Sequence, residues 1–434
     1  MFSNTSYGLV LGGGGARGAY QIGAFKALHK LGIQISSVSG ASIGAINGAF
    51  FAQGDLKLTL SAWRRLNLFD IVRLEDLPVV DNLFDPRNGG QLLKVLLTDR
   101  GLDMDPLREL MHRYIDEEAV RKSPISLGIL SYDMTSRQPV ERFVDEIPEG
   151  SLYDYLLASA CLPVFKTIEI DGSRFLDGGF YNNIPIDMLA ARGIHDIIVI
   201  DVGGIELVRP PKTEGIRVIT IRPQVSLGGI LDMSFPVLQR SIKRGMLDTY
   251  RAFGKLSGNR LYLSVRSSRR FVRTYGQNIL DGLEIAAERY GADPLRVYTP
   301  DRLVQFVRTR FCQDSENYVL FRRNQKTLLR ERLLRNRPRL GKIDKEFLIP
   351  ATVELLGDPT APAAARDVLR RLFPAPYAAA EALFMLGIRL TPTDTSPCEV
   401  PVVPEVKTII DSPDAHAVSE VLAVPIASET PRTS

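Results

Sequence analysis

The chain has 434 residues, 45% of them hydrophobic and 24% charged, enough for one large core or two. A formal net charge of +4 gives no electrostatic case for a nucleic-acid partner. The three cysteines, Cys161, Cys312 and Cys398, form neither a zinc spacing nor a disulfide framework, as expected in a reducing compartment.

No basic residue precedes the first apolar run, so it does not read as a signal peptide. No stretch approaches the roughly 18 apolar residues of a membrane span. The expectation is a cytoplasmic protein that touches membranes peripherally at most. Strand patterns fall at Gly8–Leu11, Ile33–Val38, Ile125–Tyr132, Val140–Val144, Thr167–Ile170, Ile197–Val202 and Arg217–Ile221. Helical patterns lie between several of them, at Ala19–Leu31, Ile43–Gln53, Leu152–Ala160 and Pro185–Arg192. This alternation predicts an α/β fold, a mainly parallel sheet flanked by helices. The piece Asp55–Ser123 reads as a helical insertion or lid.

Past Leu263 glycine thins out and helical patterns dominate. The span Arg302–Lys345 carries 13 Lys/Arg against 4 Asp/Glu. Within it, "KTLLRERLLRNRPRLGK" (Lys326–Lys342) interleaves leucines with arginines, as a helix docking on an anionic membrane would, or one packing on a core. From Thr391 on, seven prolines, seven acids and no aromatic residue predict a disordered tail. The expected organisation is an α/β domain over 1–263, a smaller, mostly helical region over 264–390 and the tail over 391–434.

The first strand runs into "GGGGARG". Gly13-Gly14-Gly15-Ala16-Arg17-Gly18 fits a dinucleotide loop by pattern, but that fold needs an acid about 20 residues on to hold the ribose. The first acid of the chain is Asp55. A phosphate-binding P-loop needs Lys-Ser/Thr after the last glycine, and here Ala19-Tyr20 follow. Two readings stay open: a tight turn, or an oxyanion pocket built from backbone N–H groups at a helix start.

The second strand ends in Gly40-Ala41-Ser42-Ile43-Gly44, a G-x-S-x-G elbow followed by a helical pattern. Such an elbow exposes a nucleophilic serine at a tight turn; the alternative is a serine that caps the helix. In a parallel sheet this turn and the glycine loop lie at the same edge. A nucleophilic serine needs a base. None of the four histidines, His29, His112, His195 and His416, lies at the C-terminal end of a strand. Asp177-Gly178-Gly179, after a predicted hairpin and before a helix opened by Pro185, supplies an aspartate instead. A free aspartate has a pKa of about 3.9, so this reading requires a poorly solvated carboxylate.

These pieces together resemble the patatin-like phospholipases, serine lipid acyl hydrolases. The resemblance also takes in "ASACLPVF" (Ala158–Phe165) and "NNIP" after the aspartate, and extends from Tyr7 to about Ile221. It implies a Ser–Asp dyad with Ser42 as nucleophile and Asp177 as general base. It further implies an oxyanion hole from Gly13, Gly14 and Gly15, and an Arg17 that stiffens the loop or meets anionic substrate. No metal or cofactor is implied, and the substrate is a lipid ester. A soluble carboxylesterase or thioesterase, or a catalytically silent lipid-binding adaptor, are the alternatives.

Overall fold

The computed structural model describes residues 6–71, 101–204, 207–333 and 347–390. Its central sheet follows from alternation of side chains. Strand β1 (Tyr7–Leu11) sends Leu9 and Leu11 into the core on one face and Val10 into the core on the other. Strand β7 (Asp196–Ile200) repeats the pattern, with Ile198 and Ile200 on the first face and Ile197 and Val199 on the second. Such strands are buried on both faces, which is why they read as unbroken apolar runs.

The other strands of this sheet are β2 (Ile35–Ala41), β3 (Ser126–Asp133), β4 (Gln138–Phe143), β5 (Ile168–Ile170), β6 (Ser173–Asp177) and β8 (Arg217–Ile221). The order is β5-β6-β3-β2-β1-β7-β8, with β4 also pairing with β3. Strands β1, β2, β3, β7 and β8 run parallel; β4 and β6 run antiparallel to β3. The fold is therefore the expected α/β class. The chain leaves β1 outward through β2 and β3, then returns to the opposite side of β1 through β7. The C-terminal end of β1 thus lies at the switch point where open α/β sheets form their ligand crevice.

Helices α1 (Ala19–Lys30), α2 (Ile43–Gln53) and α3 (Leu56–Arg65) follow the first two strands. Asp55 starts α3 by accepting the Leu58 N–H at 2.8 Å. The rest of the expected insertion is helical at Asp105–Tyr114 and Glu117–Lys122, and the part over 72–100 lies outside the described residues.

Helix α1 packs against the helix Phe235–Ala252 through glycines on both sides. A β-carbon on Gly23 would lie 1.8 Å from the Ile242 carbonyl oxygen, and one on Gly245 1.9 Å from that of Tyr20. Beside this contact the buried Asp248 carboxylate accepts the hydroxyls of Tyr20 and Tyr262, each at 2.8 Å, and the Arg251 guanidinium. Three donors on one carboxylate leave none of these buried groups without a partner.

Beyond Val265 the described residues are mostly helical, as expected. The helix Pro300–Leu333 sets Leu303, Val307 and Phe311, each four residues from the last, on one fully buried face. A small three-stranded sheet of two- and three-residue strands between Leu256 and Tyr298 was not expected, because strands so short carry no periodic signal. Contacts group Met1–Arg389 into one compact unit; of the second, Leu390–Ser434, only Leu390 is among the described residues.

Candidate active site

Ser42 sits between β2 and α2 with φ 56° and ψ −133°, a conformation rare for a residue with a side chain. Holding it costs on the order of 1–3 kcal/mol. The elbow permits it by bare backbone contact. A β-carbon on Gly40 would lie 2.4 Å from the Gly44 carbonyl carbon, and one on Gly44 2.1 Å from the Leu11 carbonyl oxygen. The Ser42 side chain makes no capping hydrogen bond to α2, which removes the helix-cap alternative. The positive end of α2 lies directly behind the serine.

Asp177 ends β6 and is fully buried, at 0% exposure. Its Oδ1 accepts the Gly179 N–H at 2.8 Å, and its own N–H donates to the Cys161 carbonyl at 2.8 Å. A β-carbon on Gly178 would strike the Leu130 carbonyl oxygen at 2.1 Å, so this turn also requires glycine. Strand β3 brings the serine and the aspartate together. Ala41 pairs with Leu130 on one side of it and Asp177 with Ser131 on the other. Two strand spacings separate the flanking backbones, about 10 Å.

A third residue ties the two together. The Ser159 carbonyl accepts the N–H of Ser42 at 3.1 Å and that of Gly178 at 3.2 Å. Its hydroxyl accepts the Ser42 N–H at 3.0 Å and donates to the Leu130 carbonyl at 2.6 Å. Ser159 belongs to "ASACLPVF", a segment the sequence marked by resemblance without assigning it a contact. Burial pushes the neighbouring Cys161 thiol up, with the Asp177 charge adding to the shift, so this cysteine stays protonated and does not compete as a nucleophile.

The glycine loop stands over Ser42: a β-carbon on Gly13 would lie 2.9 Å from the Ser42 Cβ. Gly14 and Gly15 have φ of 152° and 56°, which glycine adopts without strain. The expectation of three oxyanion donors needs one correction. The Gly13 N–H already donates to Asn183 Oδ1 at 2.7 Å, whereas those of Gly14 and Gly15 have no hydrogen-bond partner among the described residues.

Arg17 braces the loop. It donates to the Gly228 carbonyl at 2.9 Å and to that of Gly203, both in loops that follow neighbouring strands. Gly18 fits beneath: a β-carbon there would meet Ile43, Asn47 and Trp63 within 2.9 Å. A buried network that sequence reading missed supports this floor. Trp63 donates to Asn47, Asn47 to Gln21 and the Gly18 carbonyl, and Gln21 to the Gly12 carbonyl.

His29, His112 and His195 are exposed, and His195 stands just before β7, at the opposite end from the elbow; His416 lies outside the described residues. Among the described residues, no cluster of three His, Cys, Asp or Glu side chains could hold a metal ion.

A serine on a strained elbow, a buried aspartate across one strand and a glycine loop with N–H groups unpartnered among the described residues thus meet at one edge of the sheet. Residues 9–190 match the family model for patatin-like phospholipases. It is 30% identical over 209 residues to neuropathy target esterase sws of Drosophila melanogaster, covering 46% of this chain and 13% of that one. It is 28% identical over 211 residues to human patatin-like phospholipase domain-containing protein 6, covering 47% of this chain and 14% of that one. The chain therefore aligns with about one seventh of those relatives' length. Among solved structures it is similar to VipD of Legionella pneumophila, with TM-score 0.34 and 15% identity over 88% of this chain and 90% of that one.

Proposed function

We propose that the chain is a lipid acyl hydrolase that cleaves carboxylic ester bonds of phospholipids or lysophospholipids. Ser42 Oγ attacks the ester carbonyl carbon while its proton passes to the Asp177 carboxylate. The carbonyl oxygen takes up the electron pair and rests on the N–H groups of Gly14 and Gly15. Collapse expels the alcohol, which leaves with the proton from Asp177. Water then attacks the acyl-Ser42 carbonyl carbon, giving a proton to Asp177; collapse breaks the bond to Ser42 Oγ, which takes that proton back from Asp177, and the fatty acid departs. The observation that carries this reading is Ser159, whose single carbonyl holds the backbone of both Ser42 and Gly178.

A fluorophosphonate probe tests it. Labelling of the wild type and not of Ser42→Ala, together with release of fatty acid from a phospholipid panel, is the expected result. Labelling with turnover of soluble esters alone favours the carboxylesterase alternative; lipid binding without labelling favours the adaptor. His29→Ala, His112→Ala and His195→Ala are each expected to retain at least half the wild-type kcat. A loss with His195→Ala as deep as with Asp177→Asn, in a folded protein, overturns the dyad.

We also propose peripheral contact with anionic membrane through Arg302–Lys345. Among the described residues no helix is long and apolar enough to cross a membrane. Of this span, the side chains beyond Leu320, including all of Lys326–Lys342, lie outside the described residues. Replacing Arg330, Arg332 and Arg335 by Glu is expected to weaken binding to anionic vesicles, each basic residue contributing about 1 kcal/mol near the surface. Co-sedimentation at low and high salt checks this; binding unchanged by both salt and substitution overturns it.

A further inference from the structure

The side chain that holds the glycine loop closest to Ser42 has no part in the dyad. Asn183, 1% exposed, follows the short helix Gly179–Asn182. Its Oδ1 accepts the Gly13 N–H at 2.7 Å, and its Nδ2 donates to the Gly13 carbonyl at 3.4 Å. One carboxamide therefore grips the peptide groups on both sides of Gly13. Its backbone is fixed in turn, because the Asn183 N–H donates to the Leu207 carbonyl at 2.7 Å.

Peptide planarity gives these contacts a consequence. The Gly12–Gly13 peptide is held at its carbonyl by Gln21, at 2.7 Å, and at its N–H by Asn183. The Gly13–Gly14 peptide is held at its carbonyl by Asn183, and its other end is the Gly14 N–H, which has no partner among the described residues. A carbonyl and the N–H across the same trans peptide point in opposite directions. Anchoring the carbonyl on Asn183 therefore turns the Gly14 N–H away from Asn183. Consecutive glycines impose little on their own dihedral angles, so without such an anchor this peptide can rotate.

We propose that Asn183 is the positioning residue of the oxyanion loop: its paired hydrogen bonds to Gly13 set the peptide plane that aims the Gly14 N–H at the carbonyl oxygen of an ester on Ser42. This rests on the hydrolase reading above. Asn183 touches no reacting atom; it acts through the loop. Its neighbour Asn182 provides the comparison. Asn182 is also buried and its Oδ1 accepts the N–H groups of Ile184 and Arg209, but it makes no hydrogen bond to the glycine loop.

The experiment measures kcat and KM on a soluble chromogenic ester, the rate of fluorophosphonate labelling and the melting temperature, for the full chain and its variants. Asn183→Ala is expected to lose about 100-fold in kcat, the effect of a misplaced oxyanion donor, with KM changed by less than about threefold. Labelling is expected to slow in parallel. Asn182→Ala is expected to lower the melting temperature and to keep kcat within about threefold of wild type. Asn183→Asp fills the same space and keeps the acceptor for the Gly13 N–H but supplies no amide donor. It carries the test if the alanine variant does not fold, and it is expected to lose kcat to a similar extent. A folded Asn183 variant with near-wild-type kcat overturns the proposal, as does an Asn182→Ala whose kcat falls in step with that of Asn183→Ala. A wild type that neither hydrolyses esters nor labels overturns the hydrolase reading itself, which is a different outcome.

Discussion

Ser42→Ala and Asp177→Asn are each expected to lower kcat for ester hydrolysis by at least about 10⁴-fold, the scale seen when a nucleophile or its base is removed. Neither change is expected to unfold the protein. The Ser42 hydroxyl caps nothing, so alanine leaves the hydrogen bonds of α2 as they are. Asparagine at 177 keeps a carbonyl oxygen in place to accept the Gly179 N–H. Steady-state kinetics on a soluble ester, with thermal melts monitored by circular dichroism, check both points. A Ser42→Ala protein with more than a hundredth of wild-type kcat would place the chemistry elsewhere. The two variants act on one proton transfer, so the double variant is expected to be no slower than either single one.

Gly14→Val is expected to lower kcat by about 10²- to 10³-fold with little change in KM. Gly14 has a φ of 152°, and a β-carbon there would lie 2.8 Å from the Val202 Cγ2. A β-branched residue is unable to hold that backbone and moves the N–H proposed to face the developing oxyanion. The split between kcat and KM is what distinguishes this from loss of substrate binding. An unchanged kcat with a raised KM would make the loop a binding element and remove it from the oxyanion role. Gly15→Ala is a poorer probe, because its β-carbon would lie 2.1 Å from the Ile230 carbonyl oxygen and would disturb folding as well as chemistry.

The glycine loop, the elbow and the aspartate turn were legible in the sequence because each is a local backbone requirement. The clashes that exclude a side chain at Gly40, Gly44 or Gly178 leave glycine at fixed offsets from a serine or an aspartate. Strands such as β1 and β7 were legible because both their faces are covered. What joins these turns was not legible. Ser159 reaches Ser42 across 117 residues and Asn183 reaches Gly13 across 170, and nothing in the local sequence of either reports its partner. The same holds for Arg17, which the sequence left between loop support and substrate contact until Gly203 and Gly228 were seen to accept its hydrogen bonds. Expecting Gly13 as an oxyanion donor failed for a related reason: a glycine pattern marks where N–H groups are accessible but not which of them another side chain has taken.

The crossing of α1 with Phe235–Ala252 bears on whether the matched segment could stand without the rest of the chain. The matched stretch ends at residue 190, yet the glycine loop inside it leans on residues beyond that limit. Ala16 donates to the Ile230 carbonyl at 2.7 Å, Arg17 to Gly203 and Gly228, and Tyr20 to Asp248. The stretch is thus not a self-sufficient cassette. A chimera cut at residue 190 would bring the serine and the aspartate but not the scaffold under the loop between them. Any recombination that moves this segment into a new protein must carry the chain at least through Tyr262, or find another helix with a glycine where Gly245 now lets two backbones touch.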